Sequence, residues 1–483
     1  MVTSDGASPA AAAPGTPPPP TVAIVGGGIA GAVVARTLLL NHPAVRVDLF
    51  DQGRSGVGGR ASHRRRRRLD DGAKGGGGGG EMRWDHGCQL FRADTPRFRA
   101  LVARLVEDGR VKTWEGKFAA PAGGARRDFF GFPHDPPFYV GGDGMADVVR
   151  GVLDGARERG GERLRVHEGT RVANVSRDPV TQRWRLTGTS GAAAYHDTPE
   201  RVARAAVPGR LGEAAGGYDV VVLTDVSSSF DAWHRASAGV PPEFAARVRA
   251  RAGARVPLFA ATICVEERTG APFDAAAFNH DTLWFAARSG AKPGLGDGAD
   301  DGAAAGECWT LVSTPEYALR EIEATPMQDA QTGEFVPQPP DYLRDGPGAD
   351  LLTAFAEELT SPDGVLGDDA LAAVPPALYV DAQRWGSALP APRHLDATSA
   401  TRRVIAGVPY DSGVASLSPT RAVECRHGEQ RTFVVDEALG LIQAGDMVST
   451  LTPGFEGAAV SGMDAAEFLL NTFSRLGPHE ADS

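Results

Sequence analysis

Three glycines and one acid carry the clearest chemical signal in this 483-residue chain. Gly26, Gly28 and Gly31 have the spacing Gly-x-Gly-x-x-Gly, and Asp51 follows 20 residues after Gly31. The first glycine permits a tight turn, the second lets backbone approach a pyrophosphate, and the third lets helix and strand pack closely. A helix opening there aims free N–H groups and the positive end of its dipole at the phosphates. An acid at that remove stands where ribose hydroxyls are expected. The spacing predicts a dinucleotide site made of Gly26, Gly28, Ile29, Ala30, Gly31, Asp51 and Gln52. A glycine turn that holds no ligand is the competing reading.

The spacing means little without elements to hold it. Val22 to Val25 is an apolar run of strand type, Ala32 to Leu40 reads as a helix, and Val45 to Phe50 as a second strand closed by Asp51. That is the size of a βαβ unit. Phe98, Leu101, Val102 and Leu105 have helical spacing, and a second helix is expected over 147–159. Short strands are expected at 163–166, 171–176 and 184–187, the last two as a hairpin. Residues 219–223 read as a buried strand of parallel-sheet character. Longer antiparallel strands are expected at 256–266, 282–287 and 308–313, then a helix at 350–359 and a strand at 377–383. Residues 290–306 and 324–348 read as loops and 390–430 as an irregular insertion. Strands at 432–435 and 440–443 and a helix at 457–473 close the chain. Trp284 and Trp309 are expected in the core of the antiparallel sheet.

The expected architecture is α/β. A discontinuous Rossmann-like domain (21–92, 141–234 and 431–475) interleaves with a smaller α+β substrate domain (93–140 and 235–430) built on a mainly antiparallel sheet. Residues 1–20, rich in Ala and Pro, read as a disordered tail.

Composition narrows the function class. Lys plus Arg is 50 against 61 for Asp plus Glu, a net charge of −11, which argues against a general nucleic-acid binder. The run Arg64 to Arg68, followed by Gly75 to Gly80, reads as a solvated insertion. Hydrophobic residues at 42% and charged residues at 23% are ordinary for a soluble globular protein. No apolar run reaches the roughly 20 residues that span a bilayer, and no secretory signal or transit peptide is recognisable. The four cysteines, at 88, 264, 308 and 425, form neither a CxxC pair nor a zinc pattern, so no metal is expected. Free thiols suit a reducing compartment, and a cytoplasmic location is expected.

Further motifs resemble those of flavoproteins in the amine-oxidase superfamily. Gly56-Val57-Gly58-Gly59-Arg60 resembles their second glycine motif, which implies that Gly58, Gly59 and Arg60 wrap the FAD diphosphate from the other side. Trp84-Asp85-His86-Gly87-Cys88-Gln89 resembles the segment that passes the isoalloxazine ring, with Cys88 in place of the usual Ala. Glu168-Gly169-Thr170-Arg171-Val172 resembles the strand whose Val backbone contacts adenine. Gly445-Asp446 and the run Gly454 to Gly462 resemble the C-terminal motifs that meet the ribityl chain and the flavin edge. The resemblance therefore implies FAD as cofactor, held also by Gly87, Val172, Gly445, Asp446, Glu456, Gly457 and Ala458.

Within that superfamily, Leu283 to Gly294, Trp309 to Ala318 and Gln383 to Pro390 resemble segments of renalase-like oxidoreductases, so that the likeness covers most of 22–473. It implies a small-molecule donor, NAD(P)H or an isomer, that gives a hydride to flavin N5, with O2 as acceptor. Gln383 where the family often has His, and Asp225-Val226 where a Pro is common, depart from the pattern. Monoamine oxidases usually place a Lys near N5, and of the four lysines here Lys292 reads as part of a Lys-Pro-Gly turn, with no clear equivalent. Candidate catalytic residues are His86 and Gln89 near the ring, Arg384 as a phosphate ligand and Trp385 as a wall of the site; a structural role competes for each. Asp85 reads as fixing a turn. A flavin amine oxidase or desaturase, and a non-catalytic FAD scaffold, are the alternative readings.

Overall fold

The computed structural model describes residues 18–53, 56–67, 81–120, 137–190, 209–212, 217–253, 255–296, 306–327, 336, 339, 341–390, 402–405, 408–411, 431–451 and 453–475. The run Gly75 to Gly80, Arg68 and the tail up to residue 17 lie outside these residues.

The chain opens with β1 (Thr21–Val25), α1 (Ile29–Asn41) and β2 (Arg46–Phe50), with β1 and β2 parallel and Val22 opposite Val47. They belong to a six-stranded sheet in the order Val434–Asp436, Leu441–Gln443, Val220–Leu223, β1, β2, Leu164–His167. Only the first of these strands is antiparallel to its neighbour. The chain steps from β1 to β2 on one side and reaches Val220–Leu223 on the other. This switch in direction leaves a crevice at the C-terminal ends of the strands, where ligands bind in open α/β sheets.

Strand alternation builds both faces of this sheet. Val22 and Ile24 join one core with α1, α3 (Met145–Gly160) and the C-terminal helix Phe455–Arg475. Ala23 and Val25 face another core with strands Thr170–Arg177 and Trp184–Ser190 and helix Pro242–Ala252. The C-terminal helix crosses α1 at backbone contact: a Cβ on Gly462 would stand 2.5 Å from the carbonyl oxygen of Ala30.

The second six-stranded sheet runs in the order Ala377–Pro390, Arg255–Val265, Glu307–Ser313, Leu283–Arg288, Ala275–Ala277, Phe118–Ala119. Its pairs are antiparallel except the last. Phe259, Ala261, Ile263 and Trp309 face helices Pro315–Ala324 and Ala349–Thr360. Leu258 and Trp284 face the Rossmann side. Both tryptophans are core residues, on opposite faces.

Three expectations are corrected. The arginine run is a paired strand over its described part rather than an irregular insertion, although Arg65 and Arg66 remain exposed. It forms β3 (His63–Arg67), paired with β4 (Glu81–Asp85). Its charges are matched by alternation: Arg64 bonds Asp381 (2.6 Å) and Gln383 (2.9 Å), and Arg66 lies 4.8 Å over the Tyr379 ring, while Arg65 turns to Asp143. The strand expected to end at 383 continues to Pro390, and a hairpin of Arg402–Ile405 with Val408–Asp411 follows. Residues 344–348 are not loop but a π-helical turn leading into Ala349–Thr360, with Pro347, which lacks an N–H, inside it.

Among the described residues no helix is long and apolar enough to cross a membrane, and no group of three His, Cys, Asp or Glu could hold a metal ion.

Candidate functional site

The site grows from the turn after β1. Gly26 has φ +110°, a conformation that favours glycine, and its N–H bonds the Phe50 carbonyl at 2.8 Å. A Cβ on Gly31 would lie 2.0 Å from the Gly26 carbonyl oxygen, so α1 can start this close to the turn only with glycine there. Gly28 caps α1 with no side-chain hydrogen bond, and a Cβ on it would meet nothing nearer than the Gly58 oxygen at 4.0 Å. Ile29 and Ala30 form the first turn behind it. The helix N-terminus thus faces open space with uncapped N–H groups, which fits a diphosphate.

Asp51 closes β2 and is buried. Its two oxygens accept from Gly27 N (2.8 Å) and Gly53 N (2.7 Å). Burial holds its carboxyl above the usual range, against those hydrogen bonds. Asp51 therefore shapes the glycine turn; its neighbour Gln52 is exposed.

The second glycine motif lies against the first. Gly58 N donates to the Gly27 carbonyl (2.9 Å), and a Cβ on Gly59 would stand 3.5 Å from Gly28 Cα. Arg60 then reaches across the chain to Asp446 (Nη1 to Oδ2, 2.9 Å) and to the Ala388 carbonyl (2.8 Å). The Asp446 carboxylate, outweighing burial, raises the Arg60 guanidinium above its ordinary value. Gly445, with φ +109°, donates to Ser461 Oγ of the C-terminal helix (2.9 Å). Three glycine-bearing loops from both ends of the chain thereby meet at one crevice. Gly457 and Ala458 lie in the first turn of that helix. Glu456 is committed elsewhere: its carboxylate accepts from Asp94 N and Thr95 N (2.6 Å to Thr95) and ties the helix to the start of α2 (Pro96–Glu107). Val172 sits on an edge strand of its three-stranded sheet, with its carbonyl 3.5 Å from Trp233 Nε1.

The segment after β4 packs on the second motif. Cys88 N donates to the Arg60 carbonyl (2.7 Å), and a Cβ on Gly87 would lie 2.1 Å from that oxygen. Gln89 Nε2 donates to the Asp85 carbonyl (2.6 Å), and its oxygen accepts from Lys292 Nζ (3.0 Å). Lys292 also pairs with Asp85 Oδ2 (3.1 Å) and lies 5.6 Å from the Trp114 ring centroid. Asp85 Oδ1 accepts from Met145 N (2.7 Å) at the start of α3, so its carboxylate holds a helix 60 residues on and, among the described residues, makes no hydrogen bond to the turn at Gly87. His86 stacks on Trp385 (5.5 Å) and shares its backbone carbonyl with Trp385 Nε1 (2.9 Å). Burial first, then the charges of Arg64 and His63, push the His86 imidazole down to about 3, so it is neutral at working pH. Burial pushes the Cys88 thiol up to about 12.

The structure thus brings His86, Gln89 and Trp385 together and leaves Arg384 out. Arg384 and Trp385 point to opposite faces of their strand; Arg384 donates to the Thr325 carbonyl (2.9 Å) on the helix-covered side. Sequence reasoning missed Lys292 and Trp114. The available signal for Lys292 was its rarity, as one of four lysines in an arginine-rich chain.

A family model for NAD(P)-binding Rossmann-like domains matches residues 24–105. The Rossmann-like fold of that stretch agrees with the match. No curated protein sequence matches it. Among solved structures it is similar to a reduced UDP-galactopyranose mutase (10% identity, 94% of each chain covered, TM-score 0.50). It is also similar to cyclohexylamine oxidase from Brevibacterium oxydans IH-35A (13% identity, 95% of this chain and 100% of the other, TM-score 0.49). A putrescine oxidase double mutant aligns at 11% identity over 94% of this chain and 100% of the other, with TM-score 0.45. At such identities the likeness concerns the fold.

Proposed function

We propose that the chain is an FAD-dependent oxidoreductase, of the renalase-like kind, that takes a hydride from a small reduced nicotinamide-type donor and passes the electrons to O2. The observation that carries the proposal is the meeting of Gly26–Gly31, Gly58–Arg60 and Gly445–Asp446 at one crevice, with residues 85–89 clamped beside them. A bare nucleotide site needs only the first of these loops; the others suit a longer ligand with a ring at its far end. FAD bound there supplies the two-electron acceptor.

The chain's own part is positioning. The backbone of the first two glycine loops and the α1 N-terminus bind the diphosphate. Arg60 and Asp446 lock the C-terminal loop to the second motif. Gln89 and Lys292 fix the 85–89 segment, and Trp385 with the neutral His86 closes the site against water. Hydride transfer needs a donor carbon at near-attack distance and no covalent nucleophile, so a thiol at about 12 and an imidazole at about 3 are no obstacle.

One observation favours a second reading, an amine oxidase. Lys292, read from sequence as a turn residue, is buried against the 85–89 segment. Stopped-flow mixing of the purified protein with dihydronicotinamide isomers, NAD(P)H and amines separates the readings. Rapid bleaching by a dihydronicotinamide supports the first, and bleaching by amines alone replaces it with the second. No bleaching by any donor leaves an FAD scaffold and overturns both.

A further inference from the structure

Two cysteines far apart in sequence meet in the antiparallel sheet. Strands Arg255–Val265 and Glu307–Ser313 pair so that Cys264 stands directly opposite Cys308. Directly opposed residues of an antiparallel pair send their side chains to the same face. Here that face is the one that meets β4. The two cysteines cluster with Trp84, and Met82 and Tyr379 pack against them. Trp84 Nε1 donates to the Ile263 carbonyl (2.9 Å), which holds the indole against this part of the sheet.

The backbone suits a covalent link. Opposed Cα atoms of an antiparallel pair stand about 4.5 Å or 5.5 Å apart, according to their place in the hydrogen-bond ladder. A disulfide takes a Cα separation of about 4.4–6.8 Å. Either spacing fits, so the strands need not shift for the sulfurs to join. Both residues carry thiols in this structure. The pair also lies near the end of the sheet. Val265 opposite Glu307 is the last rung of this ladder, and Gly306 follows with no side chain over the sulfurs: a Cβ there would stand 3.0 Å from Cys264 Sγ. On the other side Cys264 is opposite Tyr379, and the register slips at the next residue, where Leu378 is left out of the pairing and exposed. Cys308 is the less buried of the two, 7% exposed against 1%.

We propose that Cys264 and Cys308 form a dithiol site that hydrogen peroxide closes into a cross-strand disulfide. The Cys308 thiolate attacks one peroxide oxygen and the O–O bond breaks. A sulfenic acid forms, and the departing hydroxide takes the thiol proton to become water. The Cys264 thiol then attacks that sulfur, the S–S bond forms and the second oxygen leaves as water. Two thiols lose two electrons in all, and one peroxide is reduced to two waters. In a reducing compartment such a bond is transient and regulatory rather than structural. Turnover with O2, as proposed above, supplies this oxidant, but the site rests on the sheet alone and not on that reading.

The test exposes the full-length protein to hydrogen peroxide, blocks the remaining thiols with N-ethylmaleimide in denaturant and digests the product with trypsin. Mass spectrometry without reductant should find residues 256–268 joined to 289–320, two hydrogens lighter than their sum, with loss of the maleimide label from both together. Dithiothreitol should separate them. Cys308→Ser should restore the label on Cys264. Cys88→Ala combined with Cys425→Ser keeps only this pair and should give the same link. The proposal is overturned if both thiols still take the label after peroxide, if Cys308 gathers oxygen without a link, or if either cysteine joins Cys88 or Cys425 instead. Because the peroxide is added, a protein without flavin gives the same answer, and the functional reading stands or falls separately.

Discussion

Lys292→Met is the most informative single change near the 85–89 segment. The Lys292 and Asp85 side chains are each 1% exposed and stand 3.1 Å apart. Removing the ammonium strands a buried carboxylate that, among the described residues, keeps only its bond from Met145 N. Breaking a buried pair from one side costs about 3–5 kcal/mol. Loss of the contact with Trp114 and of the bond to Gln89 adds to it, each by about 1 kcal/mol. Asp85→Asn with Lys292→Met removes both charges, so the double variant should recover about 2 kcal/mol relative to the sum of the singles. Urea titration followed by tryptophan fluorescence, run on the four proteins of this cycle, gives the coupling. A Lys292→Met protein within about 0.5 kcal/mol of the natural chain, or strict additivity across the cycle, would refute the reasoning.

Three further outcomes are expected. His86 is held near 3 in the folded state against about 6.5 when unfolded, so the unfolded chain binds more protons between those values. Its contribution to stability is complete above about pH 6.5 and is lost as pH falls toward 3, by up to about 1.4 kcal/mol per pH unit; His86→Gln should flatten that slope in denaturation curves at pH 4 to 7 (about the range of the loss), and an unchanged slope counts against the buried neutral imidazole. Cys88, with its thiol near 12, should resist iodoacetamide at mildly alkaline pH until the chain is unfolded; peptide mapping that finds it alkylated in the native protein contradicts this. Gly31→Ala places a methyl 2.0 Å from the Gly26 oxygen and should weaken ADP binding by more than about tenfold while costing about 1–3 kcal/mol of stability; unimpaired binding would mean the turn does not shape the site.

The Rossmann half was legible because its signals are local. Strand, glycine turn, helix and acid fall within 31 consecutive residues, 21–51, and the tightest approach, Gly31 against the Gly26 carbonyl, lies inside that stretch. Gly445-Asp446 and Arg60 were each singled out by resemblance, but the ion pair that joins Arg60 to Asp446 across 386 residues was not legible. The same distance problem hid Lys292, whose partners Asp85 and Gln89 lie 207 and 203 residues earlier; from sequence it could only look like part of a turn. The arginine run misled for a related reason. Asp381, Gln383 and Tyr379, which absorb Arg64 and Arg66, sit on a strand more than 300 residues on, so the run showed its charge but not its partners. Arg384 and Trp385 are adjacent in sequence, yet only the strand's orientation decides which of them faces His86. Glu456 was read as a cofactor ligand, and its buried carboxylate instead holds the backbone of residues 94 and 95.

The central claim is that glycine loops from both ends of the chain hold FAD. Its most direct test is the visible absorption spectrum of the purified full-length protein, before and after heat release and chromatography of the bound nucleotide. The account predicts flavin bands in the folded protein and stoichiometric release of intact FAD. A colourless protein that acquires no flavin absorption on incubation with excess FAD would contradict it.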